Sequence, residues 1–172
     1  MTLPYAEPLT PIEPPPLVLP EPPRKNENPD DCGLCAWIGG RSEHTEEPLW
    51  RIDDWVLCRA TEVTIPGICW LASREHFDSF ADMPARAAAS YAGVVGRIER
   101  AILGLGDIAR VHVYRWGDGS AHFHLWFYPR PLGMLHASKE MLPLWAELMP
   151  QAPKEAVADA EERIRKSLVA AA

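Results

Sequence analysis

Two histidines and a tryptophan alternate with apolar residues over 122–127, in the order His-Phe-His-Leu-Trp-Phe. Successive side chains of a β-strand point to opposite faces, so His122, His124 and Trp126 would share one face while the apolar residues anchor the other. A strand rises roughly 3.4 Å per residue, which holds the two imidazoles about 7 Å apart. A lone strand histidine is usually structural, but two at this spacing after a glycine-rich turn favour a functional site.

A second candidate for chemistry is the cysteine pair Cys32-Gly-Leu-Cys35. The chain shows no signal-peptide pattern, so we expect a reducing compartment, where such a pair is typical of metal binding or of thiol-disulfide chemistry. Two ordinary apolar residues in a turn are the third interpretation. Cys58 and Cys69 lie inside apolar runs and are predicted to be buried in the core.

Charge and hydropathy exclude several classes of function. The 172 residues carry 17 Lys+Arg against 24 Asp+Glu, a formal net charge of -7, which argues against general nucleic-acid binding by phosphate neutralisation. No apolar run approaches the roughly 18 residues of a membrane span, and the N-terminus lacks a basic segment followed by an apolar one. We therefore expect a cytoplasmic protein that does not interact with membranes.

The elements that must position these side chains follow an α+β order. Runs rich in aromatic and branched residues, separated by turn residues, predict strands over 49–53, 55–60, 67–73, 108–116 and 121–128. Apolar residues at helical spacing predict a long helix capped by Asp82 and ending at Gly104 or Gly106, a second helix over 139–148 and a C-terminal helix from Pro153. The length suits one domain.

A proline-rich arm precedes this domain. Ten of the 18 prolines fall within residues 1–30, where a fixed φ and missing amide donors exclude helix and central strand. We predict an extended arm over 1–30 and a folded domain over 31–172. The apolar residues of the arm either lie in a groove of the domain or of a second subunit, or belong to a solvated tail.

The histidine strand resembles the signature of the histidine triad (HIT) superfamily, His-x-His-x-His followed by apolar residues and often Pro-Arg. His122, His124 and Trp126 occupy the three signature positions, and Pro129-Arg130 follows. The resemblance implies a HIT-like fold, with a five-stranded antiparallel sheet, a long helix and a C-terminal helix.

The resemblance extends upstream of the long helix. Residues 65–76, which end in Arg-Glu-His76, are similar to the strand-turn segment of the family, and Cys32 and Cys35 stand where zinc-containing members carry a cysteine pair. The resemblance therefore implies a structural Zn²⁺ bound by Cys32, Cys35, His76 and His122, because two thiolates and two imidazoles complete a tetrahedral site with no open position. If the site held no metal, His122 would be available for a role other than metal binding.

His124 matches the middle histidine of the family, the nucleophile that attacks the α-phosphorus of a nucleotide. A covalent nucleotidyl-histidine replaces one difficult displacement by two easier ones, and an acceptor such as a backbone carbonyl must hold the other ring nitrogen. The amides of Gly117 and Gly119 and the hydroxyl of Ser120 would bind the phosphate, with Arg130 as a neighbouring cation. A plain hairpin is an equally good interpretation of this loop alone.

Two departures from the family pattern bear on activity. Trp126 replaces the third histidine, and an indole cannot transfer a proton at neutral pH, so Trp126 either contacts the nucleotide or belongs to the core. The galactose-1-phosphate uridylyltransferase branch carries glutamine at this position, so nucleotidyl transfer need not be lost. Asp118 lies where many hydrolytic members have glutamine, and its carboxylate would repel a phosphate.

The leading hypothesis is a nucleotidyl hydrolase or transferase acting on a nucleotide or nucleotide-like small molecule. The alternative is a non-catalytic, zinc-stabilised nucleotide-binding or scaffold module. A thiol-disulfide function for Cys32 and Cys35 is less favoured. Such pairs normally open a helix in a βαβ unit, whereas Cys35 leads into Ala-Trp-Ile-Gly-Gly, which does not predict a helix. Many members of the superfamily are homodimers, so the resemblance implies that a homodimer is one possible assembly of this chain.

Overall fold

The strands form one antiparallel sheet in the computed structural model, which describes residues 13–43 and 46–170. In chain order they are β1 (Trp50–Ile52), β2 (Trp55–Arg59), β3 (Cys69–Ser73), β4 (Ile108–Tyr114) and β5 (His124–Pro131). Their spatial order is β1-β2-β3-β5-β4, so the histidine strand β5 lies inside the sheet between β3 and β4. The predicted α+β fold with a five-stranded antiparallel sheet is confirmed.

Four α-helices accompany the sheet. They are α1 (Gly33–Ile38), α2 (Ala85–Leu103), α3 (Met141–Leu148) and α4 (Lys154–Ala170), with short 3-10 turns at Pro29–Asp31 and Leu135–Ala137. The predicted cap of the long helix is wrong: Pro84 precedes α2, and the Asp82 carboxylate instead accepts a hydrogen bond from the Ser79 hydroxyl at 2.7 Å. None of the helices in the described part of the chain has the length and apolar character to cross a bilayer.

The two faces of the sheet are covered differently. On one face, Phe123 and Phe127 pack with Ile98 of α2 and with Ile164 of α4 in the largest core cluster. On the other face, α1 packs against β2 and β3, while α3 packs against the far end of β5. His124 and Trp126, which lie on this second face, are half-buried.

The start of β5 differs from the prediction. Ala121 to Phe123 lie before the strand, and their amides bond elsewhere: Ala121 donates to the Lys25 carbonyl at 2.9 Å and Phe123 to the Phe77 carbonyl at 2.7 Å. The strand therefore begins at His124, paired with Ala72 of β3. The residues ahead of β5 are bound instead to two segments that are far away in sequence.

The arm contacts the domain from Arg24 onward. The Arg24 guanidinium lies 2.7 Å from the Asp78 carboxylate, and Lys25 forms a parallel bridge with Ser120. Leu17, by contrast, is 88% exposed, so this apolar residue of the arm lies in no groove of its own chain. Residues 1–12 lie outside the described residues, and the division into arm 1–30 and domain 31–172 stays a prediction.

Candidate functional site

Four of the predicted side chains form a compact sulfur and nitrogen cluster. Their ligand atoms all lie within 4.8 Å of one another. The cysteines stand at the start of α1, where Cys32 is the N-cap residue and its Sγ accepts from the Cys35 amide at 3.4 Å. His76 follows β3, and His122 precedes β5. The cluster therefore joins three separate segments of the chain.

The spacing within the cluster suits a tetrahedral metal ion. Nδ1 of His122 lies 3.4 Å from Cys32 Sγ and 3.5 Å from Cys35 Sγ, and Nδ1 of His76 lies 3.5 Å from Cys35 Sγ. With Zn–S bonds of about 2.3 Å and Zn–N bonds of about 2.0 Å, ligand atoms on a tetrahedron are about 3.3 to 3.8 Å apart. These three distances fall in that range.

The second ring nitrogen of His122, Nε2, is hydrogen-bonded, as is typical of a histidine that binds a metal through its other nitrogen. Nε2 lies 2.8 Å from the Ser73 carbonyl oxygen and 3.1 Å from the Ser73 hydroxyl. Donation from Nε2–H to the carbonyl leaves a lone pair on Nδ1, directed at the two thiols. This outer hydrogen bond fixes the tautomer in which His122 can bind a metal.

The electrostatics of the cluster favour a bound cation. His122 is fully buried, and burial lowers its pKa to about 4, which keeps the imidazole neutral near pH 7. Burial, followed by the adjacent Cys32, raises the pKa of the Cys35 thiol to about 12. A divalent cation would supply the positive charge that two neighbouring thiolates need.

The structure corrects one premise about the cysteine pair. Cys32 and Cys35 do open a helix, α1, contrary to the expectation that weighed against thiol-disulfide chemistry. A six-residue helix is too short to show a helical repeat in the sequence. Reactive cysteine pairs, however, are accessible and have a lowered thiol pKa, whereas Cys32 is 2% exposed and the pKa of Cys35 is raised. Metal binding remains the better interpretation.

His124 lies on the accessible part of the same sheet face. Its Nδ1 is 2.8 Å from the backbone carbonyl oxygen of His122, so the carbonyl acceptor that a nucleophilic histidine needs is present. With the proton on Nδ1, the lone pair resides on Nε2. The ring also makes an edge contact with Trp70 at 6.4 Å between centroids.

A cavity of about 570 Å³ opens beside His124. Among its lining residues are Trp37 of α1, Trp70 of β3 and Trp126 of β5, which give it large aromatic walls. Cys58, 1% exposed, also borders it, in agreement with the predicted burial. Aromatic faces beside a nucleophile could stack on a planar ring such as a nucleobase.

The cavity includes only some of the predicted phosphate-binding and nucleotide-binding residues. Ser120 and Trp126 line it. Gly117, Gly119 and Arg130 are not among the described residues that do: the Gly117 carbonyl accepts from Arg24 at 2.9 Å, and Arg130 Nη1 lies 3.4 Å from the Pro131 carbonyl. The side chains of distant segments, rather than the turn before β5, form most of the wall.

Trp126 combines the two interpretations left open for it. The indole packs against the cluster around α3, and its ring centroid lies 6.1 Å from that of Trp70. It also lines both the cavity at His124 and a second cavity of about 350 Å³ bordered by Tyr128. Trp126 is therefore both part of a core cluster and a wall of the candidate site.

Several polar residues of the cavity were not predicted, among them Lys25, Asn26 and Arg59. Lys25 and Asn26 come from the arm, and Arg59 ends β2. The only sequence signal for the first two is that the proline run stops at Pro23, just before Arg-Lys-Asn. Their place in the site depends on long-range pairing with Ser120.

Comparisons with known proteins show the fold. No family model matches the chain, and no curated protein matches it. Among solved structures, a zinc-bound histidine triad family protein from Mycobacterium smegmatis is 18% identical, with 84% of this chain and 97% of that chain covered and a TM-score of 0.60.

Two further structures give the same result. A hypothetical histidine triad nucleotide-binding protein from Sulfolobus tokodaii is 16% identical, with 81% of this chain and 93% of that chain covered and a TM-score of 0.58. A Hit-like protein from Bartonella henselae, involved in cell-cycle regulation, is 14% identical, with 78% and 93% covered and a TM-score of 0.58. The fold of this chain is that of histidine triad proteins, as the sequence resemblance implies.

Proposed function

We propose that this chain is a nucleotidyl hydrolase or transferase in which His124 attacks the α-phosphorus of a nucleotide. The observation that carries the proposal is the hydrogen bond from His124 Nδ1 to the His122 carbonyl, at the wall of an aromatic cavity. It leaves Nε2 as a neutral nucleophile of defined orientation. The shared fold with a histidine triad nucleotide-binding protein adds support by analogy.

Chemistry in the cavity would proceed in two displacements. Nε2 of His124 forms a bond to the α-phosphorus, and the leaving group departs with the bonding electron pair. The His122 carbonyl stabilises the positive imidazole ring of this intermediate through Nδ1–H. Water or a second phosphate then attacks the phosphorus, and His124 Nε2 regains its lone pair.

Ser120 is placed to donate to a phosphate oxygen. Its Oγ accepts a hydrogen bond from Asn26 Nδ2 at 2.9 Å. The hydroxyl proton of Ser120 is then available to a second partner, and the residue lines the cavity beside His124. Ser120 thus remains the member of the predicted phosphate loop with the strongest support.

The test of this function is trapping of the covalent intermediate. Intact-protein mass spectrometry after brief acid-free quenching would follow reactions with nucleoside phosphoramidates, dinucleoside polyphosphates and nucleotide sugars. We expect a nucleotidyl adduct on the wild type and on His136→Ala, whose exposed histidine lies outside the cavity, and none on His124→Ala. The added mass identifies the nucleotide. Turnover that His124→Ala retains would refute the assignment.

We also propose that the cluster of Cys32, Cys35, His76 and His122 binds a structural Zn²⁺. When bound, the ion would supply a crosslink between α1 and the ends of β3 and β5, which adds folding free energy rather than reactivity. We expect about one zinc per chain by elemental analysis and its loss in Cys35→Ser. Cys69→Ala, at a buried thiol outside the cluster, is the control that keeps the metal.

A second candidate function is favoured by Trp126. Because its indole cannot protonate a leaving group, the cavity could bind nucleotides without turning them over. This non-catalytic module predicts equal nucleotide affinity for wild type and His124→Ala, with no adduct on either. Calorimetry on both proteins separates the two functions.

A further inference from the structure

The end of the arm is attached to the turn that precedes the histidine strand. Arg24 Nη2 lies 2.7 Å from the Asp78 carboxylate, and Arg24 Nη1 donates to the Gly117 carbonyl at 2.9 Å. The Ala121 amide donates to the Lys25 carbonyl at 2.9 Å. Residues 24–26, which we call the strap, are therefore bound to the domain through both side-chain and backbone hydrogen bonds.

Asn26 closes the strap. Its backbone has φ of 61°, a left-handed conformation that asparagine tolerates better than most residues. Its side chain makes two hydrogen bonds: Nδ2 donates to Ser120 Oγ at 2.9 Å, and Oδ1 accepts from the Gly33 amide at 3.1 Å. Asn26 thus connects the turn before β5 to the first residue of α1.

These contacts place Lys25 at the candidate active site. Its backbone is held on both sides, by Arg24 and Asn26, and the residue lines the same cavity as Ser120 and His124. An ordinary flexible arm would not hold a lysine at a fixed point. The strap gives this lysine a defined position.

The charge balance of the cavity makes Lys25 distinctive. Among the described residues that line it, Lys25 and Arg59 are basic and Glu46 and Glu47 are acidic. Arg59 lies 3.0 Å from the Glu161 carboxylate and 3.8 Å from that of Glu46, so acidic partners already compensate its charge. Lys25 is exposed and forms no ion pair with a described acidic side chain. In a chain of net charge -7, an anionic ligand needs such a local cation.

We propose that Lys25 binds the phosphate chain of the substrate, and that the hydrogen bonds of the strap position Lys25 for this contact. The proposal rests on the proposed function for the identity of the ligand, a nucleotide with an anionic phosphate chain. Asn26 acts as a positioning residue, since its side-chain amide bonds Ser120 and the Gly33 amide and so anchors the chain directly after Lys25. The arm is then part of the binding site, not only a tail before it.

The experiment compares charged and uncharged probes on the full chain. AMP, GMP, CMP and UMP are titrated with the corresponding nucleosides and with inorganic tripolyphosphate by calorimetry. A charge-assisted contact predicts that Lys25→Gln weakens nucleotide and tripolyphosphate binding about tenfold or more and leaves nucleoside binding unchanged. Lys25→Arg should stay within about threefold of wild type. Lys154→Gln, at the first residue of α4 and away from the cavity, is the matched control.

Three results would overturn the role of Lys25. In the first, Lys25→Gln binds nucleotides as tightly as the wild type. In the second, Lys25→Gln loses nucleoside and nucleotide binding equally. In the third, the wild type does not bind tripolyphosphate. Nucleotide binding that depends on Lys25 without any adduct at His124 would support the strap while refuting the nucleotidyl-transfer mechanism. Tripolyphosphate binding that depends on Lys25, without nucleotide affinity, would refute only the nucleotide assignment.

Discussion

Two histidines that stand two residues apart differ in which ring nitrogen is free. His122 uses Nε2 against the Ser73 carbonyl and directs Nδ1 at the thiols, whereas His124 uses Nδ1 against the His122 carbonyl and leaves Nε2 free. The hydrogen bond to one nitrogen decides what the other can do. One ring is therefore suited to bind a metal and the other to attack an electrophile, although both are the same residue type and lie two positions apart around the start of β5.

Trp126 leads to a prediction about leaving groups. Without a proton donor at this position, substrates whose leaving group is a stable phosphate anion should react faster than phosphoramidates, whose amine must be protonated. Trp126→His should raise the rate on phosphoramidates by about 100-fold, within the usual range for a general acid, and change the rate on dinucleoside polyphosphates much less. Steady-state kinetics on both classes measures this. Trp126→Phe controls for lost packing, and an equal gain in it would contradict the argument.

His122 leads to a prediction about acid stability in chelator. Its pKa in the folded, metal-free chain is about 4, against an ordinary 6.5, because burial disfavours the charged ring. Above pH 6.5 the ring is neutral in both states. As the pH falls towards 4, the unfolded chain takes up a proton that the folded chain does not, so stability is lost, by about 3 kcal/mol at most.

Urea unfolding in EDTA between pH 7.5 and 4 tests this dependence. Carboxylates contribute their own pH dependence, so the informative quantity is the difference between wild type and His122→Asn. We expect a shallower decline for the variant over this interval. Parallel curves for the two proteins would show that His122 titrates normally.

At the scale of elements, the sheet brings the site together and the arm completes it. β5 lies between β3 and β4, which places His124 opposite Ala72 and puts Trp70 beside Trp126. Helix α1 covers β2 and β3 with Trp37 and carries both cysteines at its start. The cavity lies where α1, β3 and β5 meet, so each element contributes a different part of the candidate chemistry.

Two truncations separate the arm from the strap. Removal of residues 1–23 leaves the strap bonds intact, so thermal stability and nucleotide affinity should stay close to wild type. Removal of residues 1–26 deletes the Arg24 ion pair, the Asn26 bonds and the bond to the Ala121 amide, and should cost about 2 kcal/mol. Differential scanning calorimetry measures the difference. Equal melting temperatures for the two truncated chains would show that the strap adds no stability.

At the scale of the whole molecule, the cluster of Cys32, Cys35, His76 and His122 connects segments that no single element joins. Cys32 and His122 are separated by 90 positions, yet their ligand atoms lie 3.4 Å apart. A bound ion would hold the start of the domain to the middle of the sheet. The cytoplasmic location and the homodimer stay predictions at this scale, and light scattering after gel filtration would determine the assembly.

Chelation measures the contribution of the metal to the entire fold. Because a preformed site does not exist in the unfolded chain, zinc binding adds to the free energy of unfolding. We expect EDTA to lower the melting temperature of the wild type by about 10 °C or more, since 1 kcal/mol corresponds to roughly 2 to 4 °C at this size and a structural zinc contributes several kcal/mol. The Cys32→Ser, Cys35→Ser double variant should already melt at the lower temperature and not respond. A wild type indifferent to EDTA would contradict a stabilising metal.

The sequence by itself determined most of the elements and pointed to the cysteines and histidines of the candidate site. Strand and helix patterns are local, because alternation and helical spacing depend on neighbouring side chains, and they placed the five strands, α2 and α4 within a few residues. The cysteine pair and the histidine strand could be recognised from the sequence because each is a short local motif. Helix α1 was not predicted, because the six residues Gly33–Ile38 are too few to show a helical repeat.

Only the tertiary structure decided which of these residues lie together and which atoms of each are available to a ligand. His122 directs Nδ1 at the thiols because its Nε2 bonds to Ser73, which is 49 positions away. Gly117 and Lys25 are likewise held by hydrogen bonds between distant segments, from Arg24 to the Gly117 carbonyl and from the Ala121 amide to the Lys25 carbonyl. Asn26 and Ser120, for instance, bond across 94 positions of the chain. Such contacts are stable only when the whole core forms, so no local pattern contains their free energy.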